Sequence, residues 1–149
     1  MLEALKSLFA EAPREAAQFG PRDLRVAAAV LLTHLVGVDG EVNALEKTRL
    51  VDLLAEHFAL SENDARALAR RALERGREAV DIDEFTSLLA RTLDETGRRD
   101  IVAMMWEMAR ADGVVTEFEE SAIWRAARLL GALDPKAFAA EAMRPPTRR

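Results

Sequence analysis

The chain lacks cysteine and tyrosine altogether, and it has only two histidines and two tryptophans in 149 residues. Without cysteine there is no disulfide framework, thiolate nucleophile or zinc-thiolate site, and this usage suits a reducing cytosol. The chain also has no Gly-x-Ser-x-Gly motif and no glycine-rich phosphate loop, which removes the common nucleophile and nucleotide motifs. The sequence therefore predicts a protein that is not an enzyme.

Long apolar runs are also missing. The longest, residues 26–38, is interrupted by Thr33 and His34 and is too short to span a bilayer. The first residues carry an acid at once and no long apolar core, unlike a signal peptide. A net charge of −5 with both signs interspersed disfavours a nucleic-acid partner, since that affinity comes from clustered Lys and Arg. We therefore predict a soluble cytoplasmic protein without an integral membrane segment, and leave a protein partner or a homo-oligomer open.

The apolar residues that are present recur with a helical period in every segment. The clearest buried stripe consists of Ala65, Leu68, Ala69, Ala72 and Leu73. Possible capping boxes, which mark helix starts, begin at Asn43, Ser61, Asp81 and Thr116. Eight helices are predicted, at approximately 2–18, 22–37, 43–58, 61–75, 83–94, 98–111, 116–130 and 134–142.

Two predicted helices, at 24–38 and 100–111, are apolar on most faces, which is typical of a helix surrounded by others. We expect them to form the centre of the fold and to pack on each other through Leu31, Leu35, Met104 and Met108. The predicted fold is an all-α, single-domain helical bundle with an internal pseudo-two-fold repeat, its halves at about 24–75 and 97–143. The expected organisation is an N-terminal helix at 1–20, the helical domain at 21–143 and a disordered tail at 144–149.

The repeat is defined by a short phrase, Asp-Gly-x-Val-(Asn/Thr)-x-x-Glu, which occurs at 39–46 and again at 112–119, an offset of 112 − 39 = 73 residues. From its glycine onward, the phrase has the spacing of the latter half of an EF-hand loop. The earlier carboxylates of such a loop are missing, because Leu35 and Gly37 occupy their places in one copy and Met108 and Arg110 in the other. Neither turn alone can supply the six to eight oxygens that calcium requires.

The acidic residues of these turns have two interpretations. If the two-fold axis brings the turns together, four carboxylates, those of Asp39, Glu46, Asp112 and Glu119, would repel one another unless a divalent cation compensated them. Oxygen ligands favour calcium or magnesium, with zinc less suited. Alternatively, both glutamates are capping-box residues and the Asp-Gly pairs are ordinary turn dipeptides. Capping does not require the two aspartates. Asp39 and Asp112 therefore distinguish metal binding from capping better than the glutamates do.

The histidines and tryptophans are expected to serve the structure. His34 lies in a mostly apolar helix and is predicted to be a partnered core imidazole, whereas His57, near a helix C-terminus, should complement the helix dipole. Trp106 and Trp124 sit among apolar neighbours at helical spacing and are expected in the core or at an interface.

The residues Val38-Asp39-Gly40-Glu41-Val42 with Glu46, and Ala111-Asp112-Gly113-Val114-Val115 with Glu119, each follow an apolar helix. In this pattern the chain resembles the tellurite-resistance TerB family and its TerB-like relatives over residues 24–143, with Val38 in place of the small alanine found at 111. The resemblance implies a helical bundle, a divalent-metal site at the four carboxylates, and a link to bacterial stress or toxic-anion resistance. The alternative function is a non-metal helical interaction module.

Overall fold

A computed structural model describes residues 23–35, 44–79, 81–111 and 113–134, together with residue 140. All regular structure in these ranges is helical, which confirms the all-α prediction. The described helices are α1 (Leu24–Thr33), α2 (Ala44–Phe58), α3 (Glu62–Glu78), α4 (Asp83–Thr92), α5 (Glu95–Arg110) and α6 (Glu117–Leu130). The predicted helix at 2–18, nearly all of the one at 134–142 and the tail lie outside the described residues. The internal repeat stays a prediction.

Side-chain caps fix several helix starts. At α3 the Ser61 Oγ accepts a hydrogen bond from the Asp64 N–H at 3.1 Å, as its capping motif predicts. At α5 the Asp94 Oδ1 accepts from the Gly97 N–H at 2.8 Å, so this helix starts at Glu95 and not at the predicted 98. Gly97 lies inside the first turn of α5 and does not interrupt the helix. A Cβ on Gly97 would lie 3.2 Å from the Leu93 Cβ, so the glycine instead permits a close approach within the first turn.

The helix ends follow glycine only in part. Helix α6 stops at Gly131, whose φ of 71° is left-handed, a conformation that glycine adopts at little cost. Helix α3 instead continues past Gly76 to Glu78, beyond the predicted end at 75. A Cβ at Gly76 would meet the Thr33 Oγ1 at 3.4 Å, so this position lies closely against α1.

Helix α1 occupies the centre, with α3 and α4 as its main neighbours and α2 and α5 in lighter contact. Helix α5 packs chiefly on α6 and also touches α1 and α2. The residues expected at the α1–α5 contact are all buried, namely Leu31, Leu35, Met104 and Met108. The predicted burial and contact of α1 and α5 are thus confirmed. The expectation that these two helices form the principal central pair is corrected, because α3 and α4 cover more of α1.

Of the charged residues that the structure describes, one is fully enclosed in this centre. Arg25, in the first turn of α1, is fully buried. Its Nε donates to the Asp23 Oδ1 at 2.9 Å and its NH2 group donates to Oδ2 at 2.6 Å. The same Oδ1 accepts from the Arg25 backbone N–H at 2.8 Å and thereby caps the helix. A bidentate carboxylate is the geometry that best compensates a buried guanidinium, so the pair anchors the start of the central helix.

Candidate functional site

The four carboxylates predicted to bind a metal are only partly within the described residues. Asp39 and Asp112 lie outside them. Glu46 lies in the first turn of α2 and Glu119 in the first turn of α6, both half-buried. The shared four-carboxylate site therefore stays a prediction. Glu119 and its hydrogen-bond partners lie within the described residues.

Glu119 forms a complete capping box at the start of α6. The Thr116 Oγ1 accepts from the Glu119 N–H at 3.1 Å, and the Glu119 Oε1 accepts from the Thr116 N–H at 2.8 Å. The glycine of the preceding turn, Gly113, has a φ of 90°, a backbone conformation that L side chains rarely adopt. The predicted capping role of Glu119 and the turn role of Gly113 are thus confirmed. The corresponding cap at Asn43 lies outside the described residues.

A second group of polar side chains meets where α2 and α5 touch. His57, in the last turn of α2, places its Nε2 2.8 Å from the Oε2 of Glu107, which lies three residues before the end of α5. Glu56 completes the group, and one potential ligand atom from each residue lies within 4.8 Å of the other two. The histidine side chain is 6% exposed, whereas that of Glu107 is 41% exposed. The group thus has a buried imidazole and carboxylates that reach toward solvent.

The imidazole of His57 is only half satisfied. Carboxylate oxygens only accept hydrogen bonds, so the contact with Glu107 requires a proton on Nε2. The other ring nitrogen, Nδ1, is buried, and no hydrogen-bond partner for it occurs among the described parts of the chain. Buried polar atoms are nearly always paired in native proteins, and an exception calls for an explanation.

Sequence reasoning missed this group. It assigned His57 to the helix dipole and gave no role to Glu56 or Glu107. A local signal did exist, because His57 follows Leu50 and Leu54 at the spacing of the buried stripe of α2. The carboxylate partner had no such signal, since it lies 50 residues further along the chain and is brought close only by helix packing.

The other histidine lies elsewhere than predicted, and of the two tryptophans one is in the core and one on the surface. Helix α1 ends at Thr33, and His34 is its exposed C-terminal cap and not a core imidazole. Partial burial and then the positive charge of Arg125 lower the pKa of His34 from its ordinary value of 6.5. Trp106 is buried as expected, but Trp124 is 40% exposed and stacks on the Arg128 guanidinium, 5.2 Å from its ring centre.

The fold and these sites define an all-helical domain with acidic turns and a separate His–Glu group. A family model described as tellurite resistance protein TerB matches residues 25–142, and the chain belongs to this family. The match includes both Asp-Gly turns and also Glu56, His57 and Glu107. Searches of characterised proteins and of solved structures gave no significant match. Among the described helices, none is long and apolar enough to cross a membrane.

Proposed function

We propose that this TerB-family chain is a cytoplasmic divalent-cation-binding protein of a stress or toxic-anion response, and that it binds without catalysing a reaction. The proposed ligands are Asp39, Glu46, Asp112 and Glu119. Membership of the family and the in-register duplication of the acidic turns support this function. The chain offers only carboxylate oxygens at these turns, which favours calcium or magnesium over zinc.

The observation that carries the proposal is the fixed position of Glu119. Its carboxylate accepts a hydrogen bond from the Thr116 N–H at 2.8 Å. Glu119 follows Asp112 by seven residues and the left-handed Gly113 by six. A ligand side chain that is already ordered loses less conformational entropy when an ion binds. This order supports a role for Glu119 as a ready ligand.

The second candidate is a helical protein-interaction module in which the turns only cap helices. The specific observation in its favour is the same capping box, because both of its hydrogen bonds are formed. A helix N-terminus also stabilises a carboxylate without any cation. In this case a protein partner or a second copy of the chain would be the ligand.

A thermal melt of the metal-stripped chain tests for cation binding. A ligand that binds only the folded state stabilises it by about 2.7 kcal/mol at a hundredfold excess over Kd, which raises the melting temperature of a domain this size by about 5–10 °C. Calcium or magnesium should produce this rise in the wild type, and Asp39→Asn with Asp112→Asn should abolish it. Asp52→Asn with Asp83→Asn, on exposed positions of α2 and α4, controls for the change in net charge. If no divalent ion at millimolar concentration shifts the melt, the turns are caps.

Two single substitutions separate capping from cation binding at α6. Glu119→Gln retains a capping-box residue, since glutamine serves as well as glutamate, but removes the ligand charge. Thr116→Ala removes the cap, at about 1 kcal/mol of stability, and retains the charge. Cation binding requires Glu119→Gln to diminish the metal-induced rise and Thr116→Ala to preserve most of it. The interaction module requires both variants to melt independently of metal.

Growth in the presence of tellurite tests the proposed physiology. A host that lacks the gene should grow less well than its parent on tellurite, and the wild-type chain should restore growth. The double variant Asp39→Asn and Asp112→Asn should not restore it at equal expression. Full restoration by that variant would separate the resistance role from the turns.

A further inference from the structure

We propose that Glu56, His57 and Glu107 form a second divalent-cation site, one that selects zinc or a similar transition metal over calcium and magnesium. This site is independent of the proposed function at the acidic turns. It joins two helices, because Glu56 and His57 end α2 and Glu107 lies near the end of α5.

The donor atoms are already gathered at near-coordination distances. All three lie within 4.8 Å of one another, and the shortest separation, from His57 Nε2 to Glu107 Oε2, is 2.8 Å. Two ligands of a tetrahedral zinc, bound at ordinary Zn–N and Zn–O lengths, are about 3.3 Å apart. The ion would replace the Nε2 proton, and the two side chains would need to separate by only about half an ångström.

The distribution of burial suits ion entry. His57 lies on the core side of the contact, and its side chain is 6% exposed. The side chain of Glu107 is 41% exposed, and Glu56 is exposed. The imidazole thus provides a fixed ligand, and the carboxylates can close over an ion that arrives from solvent. Two carboxylates beside one imidazole also favour a cation electrostatically.

The hydrogen bonding of the buried His57 ring is incomplete. Among the residues that are described, the buried Nδ1 has no hydrogen-bond partner, and the ring is bound to Glu107 through Nε2. A histidine with a purely structural role in a core usually has both nitrogens bound. A coordinated metal gives a buried ring a stronger partner than a single hydrogen bond to a half-exposed carboxylate.

The donor set determines which metal is preferred. Imidazole nitrogen suits zinc, cobalt, nickel and copper, whereas calcium and magnesium take oxygen ligands. Three protein ligands leave a fourth tetrahedral position for water. His57 follows Glu46 by eleven residues on α2, or about 16 Å along the helix axis, so the imidazole is well separated from this carboxylate of the first turn.

Zinc titration of the metal-stripped full chain tests the site, with calorimetry for affinity and cobalt absorption as a spectroscopic report of nitrogen and oxygen coordination. His57→Gln should weaken zinc binding by at least about tenfold, the effect that even loss of an outer-shell partner produces. His34→Gln is the matched control, because His34 is the only other histidine in the chain and is exposed. Zinc affinity should also fall as the pH is lowered, because protons compete for the ring.

If His57→Gln folds poorly, other variants still test the proposal. Glu56→Gln changes an exposed side chain and should reduce zinc affinity while circular dichroism stays that of the wild type. Asp39→Asn with Asp112→Asn should leave zinc binding at this site unchanged, so failure here and failure of the turn site are distinguishable. Zinc binding that is no tighter than calcium binding would overturn the proposal. Equal losses in the His57→Gln and His34→Gln proteins, or none in the Glu56→Gln protein, would overturn it as well.

Discussion

Two buried basic side chains, Arg25 and His57, are paired with carboxylates in very different ways. Arg25 is bound by Asp23, two residues away, through two hydrogen bonds, and the side chains of this pair are 1% and 13% exposed. His57 is bound by Glu107 from another helix through one hydrogen bond, and those side chains are 6% and 41% exposed. The first pair is closed and local, whereas the second is open to solvent and joins two helices.

This difference separates a structural pair from a candidate binding site. Arginine cannot give up its proton, so a guanidinium held by a bidentate carboxylate offers no nitrogen to a metal. An imidazole can lose its proton and coordinate a metal, and a half-exposed carboxylate can move. A buried basic side chain therefore indicates a binding site only where its partner can be exchanged for another ligand, as the partner of His57 can.

The largest expected effect is at the closed pair. Asp23→Ala removes the two hydrogen bonds that Asp23 accepts from a fully buried guanidinium and also removes the cap of α1. Loss of one partner of a buried ion pair costs about 3–5 kcal/mol, so the free energy of unfolding in urea should fall by about that much. Asp52→Ala, on the exposed face of α2, should change it by less than about 0.5 kcal/mol. Similar losses in the two variants would contradict the structural role of Asp23.

The next effect is at His57 itself. His57→Ala removes a buried ring and its hydrogen bond but leaves Glu107 partly hydrated, so no enclosed charge is stranded. We expect a loss of about 1–2 kcal/mol in urea unfolding, within the ordinary range for a core substitution. His34→Ala, on the exposed end of α1, should cost less than about 0.5 kcal/mol. The comparison fails if His57→Ala is as costly as Asp23→Ala.

A smaller effect is expected when only the charge of the open pair is removed. Glu107→Gln keeps a side-chain oxygen that accepts from His57 Nε2–H, so the hydrogen bond persists while the negative charge of the carboxylate is lost. Partly exposed pairs contribute up to about 1 kcal/mol, and salt screens them. The stability difference between wild type and Glu107→Gln should thus shrink from low to molar salt. A difference that ignores salt would place the pair in an enclosed environment like that of Asp23.

The sequence was sufficient for the elements of this fold but not for the site. The apolar period and the caps at Ser61 and Thr116 located α3 and α6, because these signals depend on neighbouring residues. The start of α5 at Glu95, capped by Asp94, was missed, because the prediction placed the start at residue 98. The His57–Glu107 contact depends on how α2 meets α5, and no local pattern encodes it. His34 is exposed because α1 ends at Thr33, one residue before it. The apolar composition of this segment does not determine where the helix ends.

The smallest expected effect concerns the exposed histidine, His34. Partial burial and the charge of Arg125 lower its pKa in the folded chain below the ordinary 6.5. The unfolded chain therefore binds more protons just below pH 6.5, and the neutral imidazole contributes stability that is lost as the pH falls through 6.5 toward the folded pKa. Since the residue is exposed, the loss should be small.

Imidazole NMR titration checks this directly against His57 in the same spectra. Arg125→Gln should raise the pKa of His34 toward, but not fully to, 6.5, because burial, the larger cause, remains. His34→Gln should slightly reduce the acid sensitivity of urea unfolding just below pH 6.5, the ordinary pKa at which the window starts. A pKa of His34 that Arg125→Gln leaves unchanged would exclude the guanidinium as a cause. The lowered pKa of His34 would then be due to burial alone. His57, at the end of α2, differs in having a direct contact with a carboxylate.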